Sequence, residues 1–81
     1  MQGTFTVAGQ RVRTSSTRRF VAWRVTRKFD GVRYTDEVAS RTIFGRSDSL
    51  ATLRTRIRRY GFSASSYYVV IDTATGEQVS S

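Results

Sequence analysis

Whatever chemistry this chain performs must run through its arginines. They make up thirteen of the fourteen basic residues, which stand against six acidic ones and leave a net charge of +8. A guanidinium group stays charged at physiological pH, and its planar fork of donors fits phosphate oxygens or a guanine edge. The basic residues fall mainly into three groups. Arg11, Arg13, Arg18 and Arg19 are interleaved with Thr and Ser, Arg24, Lys28 and Arg33 lie in a hairpin-like stretch, and Arg54, Arg56, Arg58 and Arg59 share one helical segment. Each group also has a plain reading: a solubilising tail, the polar outer face of a half-buried sheet, and a solvated helix whose stems cover apolar surface. Together they point to a partner of dense negative charge. Nucleic acid comes first, DNA ahead of RNA, and an acidic protein surface second.

Other chemistry finds little support. There is no cysteine and no histidine, so disulfides, thiolate metal sites, imidazole ligands and the usual general base are all excluded. Of the carboxylates only Asp36 and Glu37 are adjacent, and a strand would send them to opposite faces. Eleven threonines and ten serines supply hydroxyls without a base to activate them. The chain is expected to be non-enzymatic, with no cofactor and no metal. No apolar run approaches the roughly 20 residues that span a bilayer, and Met1 to Arg19 lacks a signal-peptide core. A soluble cytoplasmic protein with no membrane partner is expected.

These side chains must be positioned by a small α+β domain. The expected architecture is an antiparallel sheet of three to four strands, a ββαβ core with a long 20–44 hairpin, packed on one helix over 48–60. A chain of 81 residues buries roughly 60% of its unfolded surface, so the core is limited. Residues 20–79 read as the single domain, preceded by a basic arm or short N-terminal hairpin over 1–19. In that segment Thr4 to Val7 and Arg11 to Arg13 could pair across Ala8-Gly9-Gln10.

The hairpin signal is two β-prone runs flanking Asp30-Gly31. A two-residue loop there sets Phe29 opposite Val32, Trp23 opposite Val38 and Arg24 opposite Glu37. It gathers Val21, Trp23, Val25, Phe29, Val32, Tyr34 and Val38 on one face, with Arg24, Lys28 and Arg33 on the other. A β-bulge near Asp36 to Ser40 is expected, because the alternation otherwise puts Ser40 and Thr42 inside and Ile43 outside. Trp23 is expected in the core rather than as a base-stacking ring.

Ser47, Asp48 and Ser49 are N-cap candidates, with Asp48 also suited to the helix dipole. Leu50, Leu53, Ile57 and Tyr60 form one apolar stripe. Gly61 and Phe62 suit a Schellman ending, followed by a Ser63 to Ser66 linker. Tyr67 to Asp72 is a continuous β-prone run, expected to lie within the sheet with one tyrosine buried and the other exposed. A turn over Thr73 to Gly76, a short strand at Glu77 to Val79 and a mobile Ser80-Ser81 tail complete the chain. The helix is expected to pack Leu50, Leu53, Ile57 and Tyr60 on Val21, Trp23, Val25, Val69 and Ile71. The basic sheet face would then stay open on the far side.

Trp23-Arg24-Val25 and the turn Lys28-Phe29-Asp30-Gly31, in a sheet followed by a helix, resemble the integrase arm-binding domains over Phe20 to Tyr60. That resemblance implies DNA read by the sheet. With the strand at Tyr67 to Asp72 the order also resembles a β-grasp scaffold, which implies protein interaction. The alternative function is therefore a basic module that binds and inhibits an acidic partner protein, and small size, arginine bias and lack of Cys and His suit an accessory protein of a virus or mobile element. On the DNA reading the expected contacts are Arg24, Lys28 and Arg33 first, then Arg11, Arg13, Arg18, Arg19, Arg54 and Arg58. Arg56 and Arg59 are expected to act only through the long-range field.

Overall fold

The computed structural model describes residues 2–15, 18–60 and 65–79. In chain order the elements are β1 (Gln2–Val7), β2 (Gln10–Ser15), β3 (Phe20–Phe29), β4 (Tyr34–Ser47), α1 (Leu50–Tyr60), β5 (Ser66–Asp72) and β6 (Glu77–Val79). β1 and β2 pair as a two-stranded sheet, and the rest form a four-stranded antiparallel sheet in the order β4-β3-β5-β6. The fold is α+β. Gly61, Phe62 and the helix ending expected there lie outside the described residues, as do Ser63 and Ala64 of the 63–66 linker, Ser16-Thr17 and the Ser80-Ser81 tail.

The two central strands are the two continuous apolar runs. Phe20 to Trp23 and Tyr68 to Ile71 are buried without a break, which only a strand covered on both faces requires. β3 is flanked by β4 and β5, and β5 by β3 and β6, so each has paired neighbours and no free edge. The sheet therefore carries two cores. On one face Val21, Trp23, Val25, Val69 and Ile71 pack with Val7 of β1, joined by Phe5, Ala8 and Val12. On the other, Phe20, Ala22, Tyr68 and Val70 pack against Leu53 and Ile57 of α1, joined by Phe44, Leu50 and Val79.

This corrects the expected packing of the helix. α1 does not cover the Trp23 face; the β1–β2 hairpin does. The helix sits on the face that begins with Phe20 and Ala22 and continues, by strand alternation, to Arg24, Thr26 and Lys28. Small Ala22 gives the helix close approach there, whereas the bulky Trp23 face is filled by the flatter hairpin. Arg24, Lys28 and the helix arginines thus share one side of the sheet, rather than lying on opposite sides. Leu53 and Ile57 are buried as expected, but Tyr60 is 72% exposed and only stacks edge-on against Phe44.

The β3–β4 hairpin is looser at its tip than a two-residue turn. Phe29 pairs with Tyr34, and the Asp30 amide donates to the carbonyl of Arg33. One Asp30 carboxylate oxygen accepts from the amides of Val32 and Arg33, and Gly31 takes φ of +99°, which glycine adopts freely. Trp23 consequently faces Ile43 rather than Val38, and Arg24 faces Thr42 rather than Glu37, which instead bridges to Lys28. The bulge expected near Asp36 to Ser40 is present, with a register shift between Arg27–Val38 and Thr26–Ser40. Ile43 returns to the Trp23 side, though 37% exposed. A second shift leaves Phe44 without a strand partner, and its ring stacks on Tyr68 at 4.9 Å on the helix side. Phe29, Val32 and Tyr34 do not extend the apolar face: at 58%, 87% and 42% exposed they run past both cores.

The helix begins at a serine cap. Ser49 Oγ accepts from the Thr52 amide, and Ser47 Oγ accepts from the Ser49 amide. Asp48 lies outside the first helical turn and instead accepts from Arg18 and the Arg19 amide.

Arg41 ties the N-terminal hairpin to the sheet. From β4 its Nε donates to the carbonyl of Val7, Nη2 to that of Ala8 and Nη1 to Gln10 Oε1, at 2.7–2.8 Å. All three acceptors lie at the β1–β2 turn, where Ala8 is held at φ of +50°, a conformation that costs an L-residue about 1–2 kcal/mol. Arg41→Ala is expected to loosen this hairpin and raise amide exchange in β1 and β2 while leaving β3 and β5 protected. Unchanged exchange in β1 would show that Val7 and Phe5 hold the hairpin alone.

Candidate nucleic-acid interface

The structure sorts the arginines into those that build the fold and those that are left to the surface. Arg19 grips Asp72 with two parallel bonds, Nε to Oδ1 at 3.0 Å and Nη2 to Oδ2 at 2.9 Å. The pairing raises the guanidinium pKa above its ordinary value and lowers that of Asp72, chiefly through these hydrogen bonds. Arg18 bridges Asp48 at 2.9 Å, and Asp48 is lowered first by the Arg19 amide and then by Arg18. Charged Asp48 and Asp72 thus anchor Arg18 and Arg19 at the start of β3. Their contribution is present above the ordinary carboxylate pKa of about 4 and is lost as pH falls through their lowered values.

Three more arginines have structural partners. Arg41 holds the N-terminal turn, Arg27 lies over the Tyr67 ring at 4.6 Å, and Arg24 Nε reaches Ser66 Oγ at 3.4 Å. Tyr68 is buried on the helix side and Tyr67 lies on the other face, as the alternation predicts. Tyr67 is not exposed, however: it is half-buried against the Trp23 core and covered by Arg27. Arg54 is half-buried on the helix.

A different set is exposed and unengaged. Among the described residues, the guanidinium groups of Arg11, Arg13, Arg33, Arg46, Arg56, Arg58 and Arg59 form no hydrogen bond or ion pair. They occupy three places. Arg11 and Arg13 stand opposite Thr6 and Thr4 on the outer face of the β1–β2 hairpin. Arg33 is alone at the β3–β4 tip, where Arg27, Lys28 and Arg33 are balanced in number by Asp30, Asp36 and Glu37. Arg46, Arg56, Arg58 and Arg59 belong to the end of β4 and to α1, a helix with no acidic residue. Between Arg56 and Arg59, Ala51, Thr52 and Thr55 form a shallow floor of small side chains.

Net charge is therefore concentrated on the helix and its approach, not at the tip that looked basic in sequence. Of the residues the sequence singles out, Arg18 and Arg19 are engaged in ion pairs with Asp48 and Asp72, and Lys28 bridges Glu37 at 3.5 Å. Arg11, Arg13, Arg33 and Arg58 are exposed. Arg41 and Arg46 escaped the sequence reading, because the parity change at the bulges decides where they point. No group of His, Cys, Asp or Glu side chains that could hold a metal occurs among the described residues, and none of their helices is long and apolar enough to cross a membrane.

No family model, curated protein or solved structure matches this chain.

Proposed function

We propose that this chain is a non-enzymatic nucleic-acid-binding protein that holds backbone phosphates with the arginines of α1. The observation that carries the reading is the exposed helix surface bearing Arg56, Arg58 and Arg59. None of these is used by the fold, and no carboxylate within the helix offsets them. Exposed guanidinium groups beside small side chains allow close approach of phosphate oxygens, and Thr52 adds a hydroxyl between them, while the Thr55 hydroxyl donates to the carbonyl of Ala51. Duplex DNA is the substrate proposed. A helix fits the B-form major groove, about 12 Å wide, and not the deep narrow groove of A-form RNA.

The test is affinity for mixed-sequence duplex DNA as salt is varied. Three to four phosphate contacts predict a straight fall of log K against log salt with a slope of about −2.7 to −3.6. Absence of binding at about 50 mM salt, where such contacts are strong, would overturn the reading and turn the search to an acidic protein partner.

A further inference from the structure

We infer that a cleft bounded by Arg18, Arg46 and Arg56 is the seat of a phosphate group, an inference that rests on the nucleic-acid reading above and gives it a defined contact. The cleft is about 430 Å³ and is lined by these three arginines with Ser47, Asp48 and Ser49. Three separate segments build it: the stretch before β3 brings Arg18, the end of β4 brings Arg46, and α1 brings Arg56. Arg56 lies along β4, its Nη1 3.6 Å from where a β-carbon on Gly45 would stand.

The charges in the cleft do not cancel. Arg18 is matched by Asp48, whose two oxygens are taken by Arg18 Nη1 and the Arg19 amide, both at 2.9 Å. Arg46 and Arg56 remain, two guanidinium groups that line the concavity and form no ion pair with Asp48, the carboxylate that lines it with them. Like charges drawn together in a concavity repel, and a bound anion turns that repulsion into attraction. The serines add matching donors. Ser47 Oγ and Ser49 Oγ each accept from a backbone amide, which leaves both hydroxyl protons able to point at a ligand. Two guanidinium forks and two hydroxyls suit a tetrahedral oxyanion better than a planar carboxylate. The phosphate could be an internal phosphodiester or the terminal group of a strand, and the two are separable by experiment.

The experiment is a titration of the full chain with inorganic phosphate against chloride at equal ionic strength, followed by NMR at the arginine Nε–H and the serine amides. Saturable shifts are expected at Arg46, Arg56, Ser47 and Ser49, absent at Arg11 and Arg13 and lost in R46Q/R56Q. The charge-preserving R46K/R56K should keep a weaker response, since lysine lacks the fork. Duplexes with 5′-phosphate and 5′-hydroxyl ends are then compared. R46Q/R56Q should weaken DNA binding at least about tenfold, against a smaller loss for R11Q/R13Q. Equal affinity for the two ends assigns the seat to a backbone phosphate, and preference for the phosphorylated end to a terminal one. DNA binding that is unchanged in R46Q/R56Q, with no local phosphate shift, overturns the seat and leaves the nucleic-acid reading standing. Local phosphate shifts without any DNA binding overturn that reading instead.

Discussion

Leu53→Ala is expected to destabilise the protein by about 2–5 kcal/mol, the range for emptying a fully buried leucine site. Leu53 is 0% exposed and is, with Ile57, one of two buried helix residues in the core beneath α1. A domain of this size holds about 5–15 kcal/mol in total and belongs near the lower end, so the variant should lie close to unfolding at 37 °C. Chemical denaturation measures it, and a loss below about 0.5 kcal/mol, the level of a surface change, would mean that α1 is docked through another face. The two-core arrangement sharpens the test. Trp23 lies on the opposite face of the sheet, so the losses from Leu53→Ala and a Trp23 truncation should add within about 0.5 kcal/mol. A helix packed on Trp23 would make them couple.

That contrast marks how far the sequence could be read. The helix was legible because Leu53 and Ile57 repeat at helical spacing and Ser49 caps the start. The internal position of β5 was legible because a run such as Tyr68 to Ile71 has no polar residue to show to water. What local pattern does not carry is which element covers which face. Period-two alternation in β3 separates Phe20 and Ala22 from Val21, Trp23 and Val25, yet it is silent on whether the helix or the hairpin lies over each set. The run Phe20 to Trp23 held the missing signal: four successive apolar residues in a strand require cover on both sides, and the N-terminal hairpin with Phe5, Val7 and Val12 was there to provide it. The candidate site was obscured for the same reason. Lys28 looked available until the looser loop and the bulges brought Glu37 beside it, and Arg46 gained its place at the cleft from a register that three shifts along β4 decide. Charge sign was legible; which charges the fold consumes was a question of partners distant in sequence, such as Asp72 for Arg19.

Charge reversal at Arg58 and Arg59 to Glu is expected to abolish binding to duplex DNA at physiological salt, while Arg11 and Arg13 to Glu reduce it only modestly. The two pairs lie on opposite layers, one on the helix and one on the β1–β2 hairpin, with the four-stranded sheet between them. A rigid duplex cannot rest on both. Charges on the far layer then act only through the long-range field, which falls off beyond a screening length of about 8 Å at physiological salt and leaves an effect of less than about tenfold. The helix has the stronger claim because its exposed, unengaged arginines Arg56, Arg58 and Arg59 outnumber Arg11 and Arg13, while both elements are docked on the sheet and neither contains an acid. Glutamates in the last turn also oppose the helix dipole, at about 0.3–1 kcal/mol each, so circular dichroism must show the helix retained. Neutral Arg58→Gln and Arg59→Gln avoid that cost, and together they should flatten the salt slope by about two, one for each phosphate contact removed. If instead the β2 pair proves the more damaging and the helix pair leaves the slope intact, the contact layer is the N-terminal hairpin, where Thr4 and Thr6 stand beside the two arginines.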